Sequence, residues 1–89
     1  GGGVANDGTL RIDDSNLNEN QAGTGGGLAT FGNVTVTVVR SNINNNQSAV
    51  APGGVYNNGS SVTLTRSRVN GNSPTNCLGS PTAVAGCSG

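Results

Sequence analysis

The chain has 89 residues, of which 31% are hydrophobic and only 2% aromatic; so few apolar groups cannot build a conventional layered core, because a small domain buries too little surface to offset its ordering entropy. Four arginines balance four acidic residues, with no lysine and no histidine, which leaves no basic face for nucleic acid and no polybasic anchor for lipid. No apolar run approaches the ~20 residues of a membrane-spanning helix, so membrane insertion is not expected, and with no charged-then-apolar leader at its start the chain reads as processed and soluble.

In chain order, the first expected element is a short inward strand at Val4, behind the glycine run Gly1-Gly2-Gly3. Next, Leu10 and Ile12 alternate with Thr9 and Arg11, the period-two pattern of a strand with one face buried. A third short strand is expected at Leu17. The same elements then return at a fixed interval. Leu10, Val36 and Val62 are 26 residues apart, as are Ile12, Val38 and Leu64; Ser15, Ser41 and Ser67; Leu17, Ile43 and Val69; Asn18, Asn44 and Asn70; and Asn20, Asn46 and Asn72. A fixed period of about 20–50 residues marks a stacked architecture.

The glycine-rich returns that begin at Gly1, Gly25 and Gly53 align with one another and absorb small differences in length. No helical periodicity intervenes, so successive units are expected to stack strand on strand in parallel, about 4.8 Å apart. The fold class is therefore all-β: a right-handed parallel β-helix (β-solenoid) of three coils over residues 1–72, followed by a C-terminal capping loop over 73–89. Glycine suits the tight bends. Stacked Asn20, Asn46 and Asn72 are expected to bond their amides along the axis, and Ser15, Ser41 and Ser67 to stack at a corner.

The last element holds Cys77 and Cys87. Two thiols without a histidine make a poor zinc site, whereas they suit one disulfide in an oxidising compartment. Nine intervening residues allow the required approach of the two Cα atoms; the sequence leaves open whether the bond closes within one chain or between two.

The pairing of Gly25-Gly26-Gly27-Leu28 with the apolar-x-x-Asn segments Leu17–Asn20, Ile43–Asn46 and Val69–Asn72 resembles the right-handed parallel β-helix repeats of secreted bacterial proteins and polymorphic outer-membrane adhesins. The ending, from Asn76-Cys77 to Gly86-Cys87, is similar to the terminus of secreted members. The resemblance covers residues 1–72 and implies a secreted, extracellular or cell-surface protein. It leaves the function open, since such coils serve adhesins, lyases and fibres alike. Members normally begin with a capping segment, while this sequence starts inside a repeat.

Outward strand positions place Thr9, Thr35 and Ser61 beside Arg11, Thr37 and Thr63, a possible lateral binding face resembling the Thr-x-Thr arrays of ice-binding β-helices; threonine is equally a favoured exposed strand residue. Asp14, Arg40 and Arg66 form another outward column in which Asp14 is expected to pair with Arg40. The acids Asp7, Asp13, Asp14 and Glu19 all fall in the first coil. They lack the cleft and the partners that acid/base catalysis needs, and neither the six or more ligands of a calcium site nor its nonapeptide repeat is present. No catalytic residue, metal or cofactor is therefore expected. Sequons begin at Asn33, Asn46 and Asn58, and Phe31 and Tyr56 are placed in the return loops as candidates to seat a sugar ring or a neighbouring subunit.

A solenoid end exposes unpaired strand edges that serve as a template for another chain. Residues 73–89 are expected to cap one end and nothing in the sequence to cap the other. Self-association head to tail, as the subunit of an extracellular filament, is the expected function. The alternative is a secreted or cell-surface adhesin or carbohydrate-binding module that is a fragment of a longer chain, and the third reading is ice binding on the threonine face.

Overall fold

The computed structural model describes residues 2–89; Gly1, the first residue of the expected glycine run, lies outside them. The first coil passes through β1 (Val4–Asn6), β2 (Leu10–Asp13), β3 (Asn16–Asn18) and β4 (Gln21–Ala22). The second passes through β5 (Leu28–Phe31), β6 (Thr35–Val39), β7 (Asn42–Asn44) and β8 (Gln47–Ser48), and the third through β9 (Val55–Asn58), β10 (Ser61–Thr65) and β11 (Arg68–Asn70). Strands pair only with their equivalents one coil away, in the orders β1-β5-β9, β2-β6-β10, β3-β7-β11 and β4-β8. Every pair is parallel. The chain is a parallel β-solenoid, and the expected columns are its Cα partners: Leu10 with Val36 and Val36 with Val62, Leu17 with Ile43 and Ile43 with Val69.

Three sequence expectations need correction. The coil holds a fourth short strand beyond the three expected, β4 and β8, continued by a parallel bridge from Gln47 to Ser73. Two residues are too few to display alternation, and Gln21 and Gln47 face outward without an apolar signal. Phe31 and Tyr56 lie on β5 and β9 rather than in loops, because the register carries the sheet past Leu28 and Val55. Thr9 precedes β2 and has no Cα partner in the second sheet, whose register begins at Leu10 with Val36.

Burial follows position along the axis. In the middle coil Leu28, Val36, Val38 and Ile43 have no exposed surface, since each has a coil above and below it. Of their first-coil equivalents only Ile12 is buried, while Val4, Leu10 and Leu17 are partly buried. A fully buried Val, Leu or Ile side chain is worth about 1.5–3 kcal/mol, so the middle coil contributes most of the hydrophobic stabilisation.

The corners are built from stacked left-handed residues. After the second-sheet strands the chain turns at Asp14, Arg40 and Arg66, with φ of 49°, 47° and 50°, and before the fourth sheet at Glu19, Asn45 and Gly71, with φ of 57°, 55° and 65°. Each non-glycine residue there costs roughly 1–2 kcal/mol relative to right-handed backbone, which the ladders on either side offset. The stretch from Leu10 to Leu17, Val36 to Ile43 and Val62 to Val69 is seven residues in every coil. From the first sheet to the second it is four (Asn6 to Leu10), six (Thr30 to Val36) and five (Asn57 to Val62), so that corner absorbs most of the length difference, and the return from the fourth sheet to the first takes the rest, six (Ala22 to Leu28) against seven (Ser48 to Val55).

Candidate assembly faces

Asn46 shows how the inner ladder works. Its side-chain oxygen accepts the main-chain N–H and the amide of Asn20, both at 3.0 Å, while its own main chain and amide donate to the oxygen of Asn72, both at 2.9 Å. The amide also donates to the Leu17 carbonyl at 2.8 Å, so one residue, 1% exposed, ties together three coils. The serine column runs in the same direction: the Ser15 N–H donates to Ser41 Oγ at 3.0 Å, and the Ser41 N–H to Ser67 Oγ at 3.1 Å.

Both columns are thus polar along the axis. Each coil gives main-chain donors to the side-chain oxygens of the coil after it. At the first coil the receiving oxygens, Ser15 Oγ and Asn20 Oδ1, have no donor from another coil among the described residues. At the third coil the Ser67 N–H has no matching Oγ among them.

Charge is ordered along the same axis. All four acids lie in the first coil with Arg11; the second carries only Arg40, and the third only Arg66 and Arg68. Arg40 reaches back to Asp14 with bonds of 2.7 and 3.1 Å and comes within 3.8 Å of Asp13. The Arg40 hydrogen bonds hold the Asp14 carboxyl below its usual range and raise the Arg40 guanidinium above its own. Arg11 pairs with Asp13 at 2.6 Å within its own coil. Arg66 has no carboxylate beside it among the described residues, although it stands in the column where Arg40 has Asp14.

The two end faces differ in cover. Among the described residues nothing pairs with the outer edges of β1 to β4, and the partly buried Val4, Leu10 and Leu17 lie at that end. At the other end the expected cap is present but covers one sheet. The Val55 N–H donates to the Asn76 carbonyl at 2.8 Å, Ser80 Oγ accepts the Asn57 N–H at 3.0 Å and donates to the Val55 carbonyl at 2.9 Å, and the Thr82 N–H reaches the Asn57 carbonyl at 3.0 Å. Cys77 and Cys87 form a disulfide within the chain, with Cα atoms 6.3 Å apart, and Cys77, Val84 and Cys87 pack against the end of the core. The outer edges of β10 and β11 stay open.

Of the lateral residues named from the sequence, Thr37 lies between Arg11 and Thr63 and Thr35 beside Ser61 on the second sheet; Thr35, Ser61 and Thr63 are exposed. Asn33 and Asn58 are exposed and open to modification, whereas the sequon at Asn46 is closed by burial in the ladder. Phe31, 41% exposed, packs against Tyr56 with ring centroids 5.6 Å apart. Two features escaped the sequence reading. Asn76 stands outside the 26-residue columns and so gave no periodic signal. The ordering of the arginines was visible, but carried meaning only once the coils were stacked.

Comparison of the chain with protein-family models, with curated proteins and with solved structures finds no match.

Proposed function

We propose that the chain is a structural subunit of an extracellular β-solenoid filament, in which the third-coil face of one copy seats on the first-coil face of the next. The supporting observation is the complementarity of the two ends. Oxygens of Ser15 and Asn20 await donors at the first coil, and the third coil carries the Ser67 N–H in the matching column. In such a junction Arg66 and the next copy's Asp14 take neighbouring places in the column that holds Asp14 and Arg40 within the chain, with Arg66 one coil before Asp14 where Arg40 is one coil after it, and the acidic coil meets the basic one. Reversing one copy would set acceptor against acceptor and acid against acid, so the geometry favours in-line growth, a heterologous contact that does not close. The disulfide fits an oxidising, extracellular setting.

Covalent trapping tests this reading. Asn16, Asn42 and Arg68 form one column, so a chain carrying both Asn16→Cys and Arg68→Cys is expected to give a ladder of covalent multimers under mild oxidation, lost when Leu10→Lys is added. Monomers alone at every concentration would overturn the reading.

The second reading is an adhesin or carbohydrate-binding module, for which the exposed Phe31 beside Tyr56 is the favouring observation, since an open ring face can stack on a sugar. Binding of an oligosaccharide panel, lost in Phe31→Ala, would favour it.

A further inference from the structure

We infer that residues 75–82 are an intramolecular stand-in for the start of a following subunit, so that the cap and a second copy compete for the same third-coil face. The inference rests on the head-to-tail reading and identifies what controls it.

The first support is main-chain register. Val4 donates to the Gly27 carbonyl at 3.0 Å and Leu28 to the Gly54 carbonyl at 2.9 Å; Val55, next in that column, donates to the Asn76 carbonyl. Gly27 and Gly54 each accept from the coil before, and Gly3 is their first-coil equivalent. Asn76 therefore occupies the place that Gly3 of a following copy would take. Thr75 likewise stands where Gly2 would, since its carbonyl accepts from Gly54 as that of Gly53 accepts from Gly27.

The second support is the side chain of Asn76. A Cβ at Gly27 would meet Asn46 Nδ2 at 2.8 Å, and one at Gly54 would meet Asn72 Nδ2 at 2.8 Å; glycine is needed because the ladder amide of the same coil fills that space. In the cap no such amide exists, and the side chain of Asn76 fills the space instead. Its oxygen accepts from the Asn72 N–H at 3.1 Å and the Asn72 amide at 2.9 Å. One cap residue thus supplies both the Gly3 carbonyl and the Asn20 oxygen of the missing coil.

The third support is what the cap leaves bare. It satisfies β9 and the asparagine column, but not β10, β11 or the Ser67 N–H, whereas the first coil of a second copy offers a strand to each. The cap has the advantage of being tethered, with an effective concentration on the order of mM or above; the second copy has the larger set of ladders. The cap therefore holds the face in dilute solution, and assembly begins when the cap is displaced or the chain is concentrated.

Single junctions test this without polymer growth. A chain with Leu10→Lys presents only its third-coil face, because the charge spoils the first-coil face while the long stem carries it to solvent. It is prepared with its cap intact and with the cap loosened by Asn76→Ala, Cys77→Ser and Cys87→Ser, and each form is mixed with the native disulfide-bonded chain. Sedimentation equilibrium is expected to show a 1:1 complex at least about tenfold tighter for the loosened form, one decade being about 1.4 kcal/mol. Equal affinity for both forms would overturn the competition while leaving head-to-tail pairing intact; no complex with either would overturn the pairing itself. Far-ultraviolet circular dichroism checks that the coils persist. Should the loosened form lose them, Leu10→Lys with Asn76→Ala and the disulfide kept is the deciding variant: tighter binding than the intact-cap form supports the competition, and equal binding overturns it.

Discussion

The side-chain oxygen of Asn76 receives from Asn72 the same pair of hydrogen bonds, main-chain N–H and amide, that the oxygen of Asn72 receives from Asn46. The inner ladder therefore ends on an acceptor outside its period. Replacing Asn76 by alanine leaves the Asn72 N–H without its acceptor, while the Asn72 amide keeps the Ile43 and Asn70 carbonyls; the change is expected to cost roughly 1–3 kcal/mol, the range for a polar group left unsatisfied. Asn76→Asp keeps the acceptor and should cost much less, because the amide of Asn76 donates only to the exposed Ser88 carbonyl. Urea unfolding of the two variants checks this; equal losses would mean that the oxygen of Asn76 is not what matters.

At Asn46 the order of effects reverses. Its amide donates to the Leu17 carbonyl and the Asn72 oxygen from a site 1% exposed, so a carboxylate there would face two acceptors with no compensating cation. An uncompensated buried charge costs about 3–5 kcal/mol, against a total stability of about 5–15 kcal/mol for a domain. Asn46→Asp is expected to unfold the protein or bring it close to unfolding at neutral pH, with partial recovery as the medium is acidified and the carboxyl takes up a proton. An unfolding midpoint equal to the native one would refute this account of the ladder.

Asp14 gives a pH dependence of definite sign. Its folded-state pKa lies below the ordinary 3.8 because Arg40 bonds the ionised form. The stabilisation is therefore complete above the ordinary value and disappears as pH falls through the lower, folded one. Arg40, shifted upward, stays charged throughout that window. Stability should be flat from about pH 7 to 5 with respect to this pair and fall below about pH 4, less steeply in Asp14→Asn or in high salt. The effect is small because both groups are at the surface. A stability gain on acidification that Asp14→Asn abolishes would contradict the assignment.

Reducing the Cys77–Cys87 disulfide should loosen the cap before the coils. Closing so short a ring is worth about 2–3 kcal/mol in the chain-entropy account. The first amides to lose protection from hydrogen exchange should be those of Asn57 and Gly59, which donate to Ser80 Oγ and Thr82 Oγ1 in the cap. Earlier exchange at Val36 or Val38, in the middle of the stack, would show instead that the disulfide supports the whole solenoid.

Much of this architecture was legible because the coil is a repeat: Leu10, Val36 and Val62 declare their common column by spacing alone, and Ser15, Ser41 and Ser67 declare a corner. The fourth sheet was not, since Gln21 and Gln47 pair through main-chain atoms that leave no mark on side-chain pattern. Nor was Asn76, whose role depends on a position in space shared with the glycine column rather than on any interval in the chain. The charge order of the two end faces was half legible: the acids of the first coil stood out, but their relation to Arg66 and Arg68 is a property of stacking.

The corner between the first and second sheets takes four, six or five residues while every ladder keeps its register. The scaffold thus has a built-in place for foreign sequence. A short peptide grafted between Gly32 and Asn33, both exposed, would lengthen an arc that already varies, without moving Leu28 from Val55 or Val36 from Val62. In a filament of such subunits the graft would repeat at the spacing of one chain, so the solenoid would serve as a molecular ruler for displayed epitopes.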